Sequence, residues 1–74
     1  MPTPIDACAL VARALEIQGS VDLGDTVSTL PAWDSLGHLR LMLELEAVTG
    51  RPLTADEIAT LSSVRAVERI LAGA

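Results

Sequence analysis

Three side chains that could do chemistry lie within five positions of one another: the carboxylate of Asp34, the hydroxyl of Ser35 and the imidazole of His38. They stand at the start of a leucine-rich segment, residues 36–49, whose composition and spacing predict a helix. A serine at a helix start can be a helix cap, a nucleophile or a point of covalent attachment. The surrounding sequence favours attachment.

The spacing of Ser35, His38 and Asp34 disfavours a hydrolytic triad, because neighbours at one helix start cannot place the base behind the nucleophile and the acid behind the base. A chain of 74 residues also has little to spare for an oxyanion hole and a substrate pocket. We therefore expect no enzymatic activity. His38 is interpreted as a partly exposed helix residue near any group that Ser35 carries. One histidine and one distant cysteine, Cys8, predict no metal site.

Length and charge limit the possible classes of function. The chain forms one domain, residues 1–74, and half of it is hydrophobic, rich in Ala, Leu and Val, which predicts an all-α bundle. The formal net charge is −5 and there is no lysine. This balance argues against binding to nucleic acid, which needs clustered positive charge, and against binding to an anionic membrane surface. It suits partners with basic patches.

The sequence shows no sign of export or membrane insertion. No signal peptide is recognisable, no apolar run has the length of a membrane span, and a single cysteine cannot form an internal disulfide. We therefore expect a cytoplasmic protein. Cys8 lies on the apolar stripe of the first predicted helix and is expected to be a buried core thiol.

The first predicted helix begins with Thr3 as N-cap, Pro4 at N1 and Asp6 at N3, and ends at Gly19. Its apolar face consists of Ile5, Cys8, Val11, Ala12 and Leu15. The long connection that follows is expected to pack across the bundle, because it carries apolar anchors at intervals. These anchors are Val21, Leu23, Val27, Leu30 and Trp33.

The second predicted helix, residues 36–49, ends at Gly50 and has more apolar positions than one core-facing stripe needs. The stripe comprises Leu41, Met42, Leu45 and Val48. Three leucines remain on another face, where exposed apolar side chains usually mark a contact surface: Leu36, Leu39 and Leu43. The alternative is that a small core covers this helix on both sides. Polar side chains lie between the leucines: His38, Arg40, Glu44 and Glu46.

Two further helices complete the chain. A capping box, with Thr54 at N-cap and Glu57 at N3, predicts a short third helix through about Leu61. Ser62 or Ser63 caps the fourth. The core stripe of the fourth helix is Val64, Val67, Ile70 and Leu71. The prediction is a four-helix bundle with a short third helix and a long loop between helices 1 and 2.

Residues 33–39, Trp-Asp-Ser-Leu-Gly-His-Leu, resemble the attachment motif of acyl carrier proteins of the phosphopantetheine-binding family. The hallmark of that family is Asp-Ser-Leu at the start of the second helix. The resemblance extends over nearly the whole chain, through the long loop, Leu-Glu at residues 45–46 and the closing run over residues 64–70. This order and spacing are far more specific than the tripeptide. They imply an acyl-carrier-like four-helix bundle.

The resemblance implies a carrier that performs no chemistry itself. A phosphopantetheinyl transferase would attach a 4′-phosphopantetheine arm from coenzyme A to Ser35, in a magnesium-dependent step, with Asp34 and Leu36 in its recognition motif. The thiol of the arm would hold an acyl or aminoacyl group as a thioester. An acyl- or aminoacyl-activating ligase would load it, and a downstream transferase or synthase would use it. The implied partner-docking residues are Leu36, Leu39, Leu43, Arg40, Glu44 and Glu46. A protein that visits several active sites is expected to be a monomer.

Two positions depart from the carriers of housekeeping fatty-acid synthesis, which usually have an acid directly after Ser-Leu and another three residues on. Gly37 and Arg40 stand there in this chain, which favours a specialised free-standing carrier. Asp34 stands where peptidyl carriers often have histidine, which favours acyl cargo. Two alternatives stay open: an aminoacyl or peptidyl carrier, and a helical interaction module without a prosthetic group, in which Ser35 is only a helix cap. The cargo and the pathway stay open too.

Overall fold

The computed structural model describes residues 6–73 and contains, over that range, four helices and no β-strand. The helices are α1 (Ala7–Ala14), α2 (Ser35–Thr49), α3 (Ala55–Thr60) and α4 (Val64–Ala72). Helix α1 packs against α2 and α4, α2 also contacts α4, and α3 lies against α4. The prediction of a small four-helix bundle with a short third helix is therefore confirmed.

Helix α1 begins later than predicted. Asp6, expected at the N3 position, is instead the N-cap: its backbone is extended and its carboxylate accepts the Cys8 N–H at 2.9 Å. An aspartate is among the best N-cap residues, so the acid itself defines the start. The predicted cap Thr3, together with Pro4 and Ile5, lies outside the described residues.

Helix α1 also ends earlier than predicted, at Ala14 and not at Gly19. Glu16 takes the left-handed backbone conformation, with φ 56°. The Ile17 N–H donates to the Ala12 carbonyl at 2.8 Å, and the Glu16 N–H donates to the Arg13 carbonyl at 3.3 Å. This is a Schellman arrangement, with a glutamate where glycine is usual. Ile17 packs against the core, which turns the chain before Gly19 is reached.

The long connection between α1 and α2 packs across the bundle, as predicted. Val21, Leu30 and Trp33 are buried, and Leu23 is half-buried against the core. Val27 was predicted to be a further apolar anchor, and this is wrong, because its side chain is 41% exposed.

Backbone hydrogen bonds, and not an apolar side chain, hold the middle of this connection. The Val27 N–H donates to the Ser62 carbonyl at 3.0 Å, and the Val64 N–H donates to the Asp25 carbonyl at 3.0 Å. The loop is thus tied to the junction between α3 and α4. These bonds fix the path of the loop just before the segment that leads to Ser35.

The core is formed by α1, α2 and α4. Its fully buried side chains are Leu10, Val11, Leu41, Leu45, Val64 and Val67. Cys8 was expected to be buried but is half-buried at the edge of this core. Partial burial and then the neighbouring carboxylate of Asp6 raise the pKa of the Cys8 thiol above its ordinary value, so the reactive thiolate is disfavoured.

Helices α3 and α4 begin as predicted. The capping box is complete: Thr54 Oγ1 accepts the Glu57 N–H at 3.1 Å, and Glu57 Oε1 accepts the Thr54 N–H at 2.9 Å. Ser63, and not Ser62, caps α4, since its hydroxyl oxygen accepts the Ala66 N–H at 3.1 Å. These caps act within one helical turn, which explains why local sequence was sufficient to find them.

Candidate functional site

Asp34 is the N-cap of α2, and Ser35 is the first residue inside the helix. The Asp34 carboxylate accepts the Gly37 N–H at 2.8 Å, and the Asp34 carbonyl accepts the His38 N–H at 2.8 Å. Ser35 is exposed. The interpretation of Ser35 as only a helix cap is therefore wrong, because the fold uses the neighbouring carboxylate for that role.

Gly37 lets the long loop rest directly on the first turn of α2. A Cβ atom at this position would overlap the Ala32 carbonyl oxygen and would lie 2.8 Å from Cδ2 of Leu15. No residue with a side chain fits here without moving the loop. This contact holds the turn that presents Ser35.

Trp33 and His38 are joined across the start of α2. The Trp33 indole N–H donates to His38 Nδ1 at 3.0 Å, and the two ring centroids are 6.4 Å apart. Trp33 is buried, whereas His38 is half-buried. The sequence indicated Trp33 as an apolar anchor and His38 as a partly exposed residue. The hydrogen bond between the two residues could not be predicted from the sequence, because hydrophobic periodicity does not report the direction of an indole N–H.

An open cavity of about 500 Å³ lies around Ser35. Its lining residues are Val27, Trp33, Asp34, Ser35 and His38. The exposed Val27, wrongly predicted as an anchor, is thus part of the site. A concave surface this open does not exclude water as an enclosed active site does. It is wide enough for a flexible group, should the Ser35 hydroxyl carry one.

The leucine face of α2, which we define as Leu36, Leu39 and Leu43, is exposed. The exposed fractions of these side chains are 56%, 49% and 57% in that order, whereas Leu41 and Leu45 are fully buried. The core therefore covers one side of α2 only, and the alternative in which it covers both sides is wrong. Exposed leucines grouped on one helix are typical of an interaction surface.

Two ion pairs flank Leu43, one from α2 to α1 and the other from α2 to the turn that follows α1. Arg40 donates to the Glu16 carboxylate, and Arg13 donates to Glu44 at 2.8 Å. With these side chains, Leu43 lines a second open cavity of about 380 Å³. Exposed ion pairs of this kind contribute about 0–1 kcal/mol, so a docking partner can replace them at little cost.

The C-terminal end of α2 uses its polar side chains on its own backbone. Gly50 takes the left-handed conformation, with φ 73°, and Thr49 Oγ1 donates to the Leu45 carbonyl at 2.7 Å. Glu46, implied by the resemblance to dock partners, accepts the Leu53 N–H at 3.1 Å. Glu46 therefore holds the chain that leaves α2.

An ion pair links the end of α2 to α3. Arg51 donates to both carboxylate oxygens of Glu57, each at 2.8 Å. The hydrogen bonds from Arg51, and then the one from the Thr54 N–H, lower the pKa of Glu57 to about 2. These contacts serve the junction of two helices and lie at the opposite end of α2 from Ser35.

Comparisons of the chain with protein-family models, with curated proteins and with solved structures return no match. Within residues 6–73, no group of three or more His, Cys, Asp and Glu side chains is placed to hold a metal ion. No helix in that same range is long and apolar enough to cross a bilayer. The functional argument therefore rests on the arrangement around Ser35.

Proposed function

We propose that this protein is an acyl carrier whose Ser35 holds a 4′-phosphopantetheine arm. The observation that carries the proposal is the exposure of Ser35 at the first position of α2, with Asp34 acting as the cap. A group can be added to the hydroxyl without removing an interaction that the helix needs. The carrier presents an acyl group, held as a thioester on the arm, to the enzymes that load and use it.

The residues around Ser35 fit a phosphate group. The hydroxyl stands at the N-terminus of a 15-residue helix, where an anion is stabilised by about 0.3–1 kcal/mol. In the attachment step, Ser35 Oγ would bond to the phosphorus nearest pantetheine in coenzyme A. The pyrophosphate bond would break, adenosine 3′,5′-bisphosphate would leave, and a base of the transferase would take the hydroxyl proton. Once bound, the arm supplies a thiol for thioester chemistry.

The leucine face supports the docking of partner enzymes. Leu36 directly follows the attachment residue, so an enzyme that covers this face also meets the arm. Arg40 and Glu44 are already paired with residues of α1 and of the turn after it, so the leucines are the part of the surface that has no partner within the bundle. An apolar patch with a charged rim suits transient contact with several partners.

The tight packing of Gly37 supports a specialised carrier. An acid at this position, as in housekeeping fatty-acid carriers, would collide with the Ala32 carbonyl oxygen. Arg40 is occupied by Glu16 and adds no acidic charge to the docking surface. The start of α2 therefore differs in shape and charge from the surface that housekeeping enzymes bind.

Intact-protein mass spectrometry tests the proposal. The protein is incubated with coenzyme A, magnesium and a broad-specificity phosphopantetheinyl transferase, beside Ser35→Ala and Ser28→Ala. Ser28 is an exposed serine of the long loop and serves as the matched control. We expect the mass of one phosphopantetheine group to be added to the wild type and to Ser28→Ala, and none to Ser35→Ala. A folded wild type that gains no mass would contradict the proposal.

The exposed leucine face also favours a second candidate, a helical interaction module without a prosthetic group. In that case Ser35→Ala would leave partner binding unchanged, whereas Leu39→Ala and Leu43→Ala would weaken it. An aminoacyl or peptidyl carrier differs from an acyl carrier only in its cargo. The mass that an activating ligase adds to the loaded arm distinguishes those two.

A further inference from the structure

His38 and Ser35 share one cavity and one side of α2. They are three positions apart on the helix, a spacing that makes side chains neighbours. Both line the cavity of about 500 Å³, and His38 is half-buried there. A group attached to the Ser35 hydroxyl therefore starts next to the imidazole.

The Trp33 side chain determines which nitrogen of His38 such a group can use. Because Nδ1 accepts the indole N–H at 3.0 Å, the neutral imidazole carries its proton on Nε2. A proton on Nδ1 would place two donors against each other. A buried indole N–H needs its acceptor, so this bond holds the ring in one tautomer.

The other side chains of the cavity cannot donate to a phosphate. Val27 is apolar, the Trp33 N–H is already used, and Asp34 is an acceptor that repels a second anion. Ser35 itself would be esterified. Among the described residues that line this cavity, His38 is thus the side chain with a donor to offer, and the donor is Nε2–H.

We propose that His38 is a positioning residue for the arm: its Nε2–H donates a hydrogen bond to a phosphodiester oxygen on Ser35, with the ring oriented by Trp33. This inference rests on the proposed function. The bond offsets the repulsion by the Asp34 carboxylate and fixes the direction in which the arm leaves α2. Trp33 acts through His38 and does not contact the phosphate in this role.

Proton and nitrogen NMR of the single imidazole tests the proposal directly, since the chain has one histidine and one tryptophan. The protein is compared before and after loading with phosphopantetheine, once mass spectrometry has shown that loading is complete. We expect the Nε2–H resonance to shift, and its exchange with solvent to slow about tenfold, as for a hydrogen bond of usual net strength. The Trp33 indole resonance should stay in place.

Two substitutions of His38 test the roles of its two ring nitrogens separately. In His38→Asn the amide oxygen can replace Nδ1 as the acceptor for Trp33, but its NH2 group stays short of the position of Nε2. In His38→Gln the amide nitrogen can reach that position. We expect the phosphorus resonance of the loaded protein to move in His38→Asn and to return toward its wild-type position in His38→Gln.

The outcomes distinguish the two proposals. A folded wild type that is not loaded contradicts the proposed function. A loaded wild type whose Nε2–H shift and exchange rate equal those of the unloaded protein overturns the role of His38 alone. A phosphorus resonance that is the same in wild type, His38→Asn and His38→Gln also overturns it.

Discussion

The two ends of α2 are built in opposite ways. At the C-terminal end, Gly50 stops the helix and the side chains of Thr49 and Glu46 bind nearby backbone groups. At the N-terminal end, Asp34 caps the helix, and Ser35 remains exposed beside an open cavity. At the C-terminal end, the polar side chains of Thr49 and Glu46 bind backbone groups of the protein and serve the fold. At the N-terminal end, Asp34 takes that role, and the exposed Ser35 hydroxyl is therefore where we expect function.

The largest expected effects concern Gly37, in the first turn of α2, and Gly50, the C-cap of that helix. Gly37→Ala would gain about 1 kcal/mol of helix propensity, but its Cβ would overlap the Ala32 carbonyl oxygen, and overpacking of this kind costs about 1–3 kcal/mol. We expect a net loss of stability. Gly50→Ala should cost about 1 kcal/mol for a different reason, its φ of 73°.

Urea unfolding, followed by the fluorescence of Trp33, measures both losses. Gly24→Ala is the control, because nothing lies within 4 Å of the added Cβ. Asparagine should be better tolerated than alanine at Gly50, since it adopts the left-handed conformation more readily, but not at Gly37. If Gly37→Ala were as stable as the wild type, the loop would not rest on α2 as described.

A smaller effect on stability distinguishes Asp34 from Ser35 at the N-terminal end of α2. Asp34→Ala should cost about 1 kcal/mol of unfolding free energy, because the Gly37 N–H loses its acceptor, whereas Asp34→Asn keeps an acceptor and should cost little. Ser35→Ala should change stability by less than about 0.5 kcal/mol. Chemical denaturation of the three variants gives the ranking. Equal losses in Asp34→Ala and Ser35→Ala would mean that Ser35 shares the capping role.

The smallest effect concerns the ion pair of Arg51 and Glu57, beyond the C-terminal end of α2, and it is lost in acid. The pKa of Glu57 is about 2 in the folded protein and 4.5 in its ordinary state, so folding favours the ionised carboxylate. The stabilisation is therefore complete above about pH 4.5 and is lost as the pH falls toward 2. Glu57→Gln removes this contribution at every pH.

Thermal unfolding of wild type and Glu57→Gln between about pH 6 and pH 2 checks the sign. We expect the wild type to have the higher Tm at pH 6, and the difference to shrink below pH 4.5. Asp25, whose pKa is also lowered, first by a backbone hydrogen bond from Asp22, titrates in both proteins and cancels in the difference. A difference that is constant with pH would show that Arg51 does not hold Glu57 in solution.

Features that act within one helical turn were predicted well from the sequence. The limits of α2 agree to within a residue, and the capping box of Thr54 and Glu57 is present as expected. The exposed leucine face was also predicted, because the apolar positions of α2 exceed one stripe. The helix limits and the capping box depend on residues three or four positions apart, so local chemistry decides them. The exposure of the leucines was decided by the core, which covers one side of α2 only.

The end of α1 was predicted less well. Gly19 carries the usual signal for a helix end, yet the chain turns at Glu16, where the left-handed conformation is costly for a residue with a side chain. The packing of Ile17 against the core and the hydrogen bonds of the Schellman arrangement offset that cost. A local preference was outweighed by contacts that exist only after the helices assemble.

The sequence by itself determined four helices, the capping box of α3, the cap of α4 to within one residue, the stripe of α2 that meets the core, and Ser35 as the residue to examine. The tertiary structure alone decided that Gly37 supports the loop, that Trp33 binds His38, and that Arg40 pairs with Glu16. The physical reason for this division is that the sequence reports contacts between residues close together along the chain, but not the direction in which a distant segment packs. Helix signals act between near neighbours, whereas these contacts depend on how the loop and α1 settle on α2.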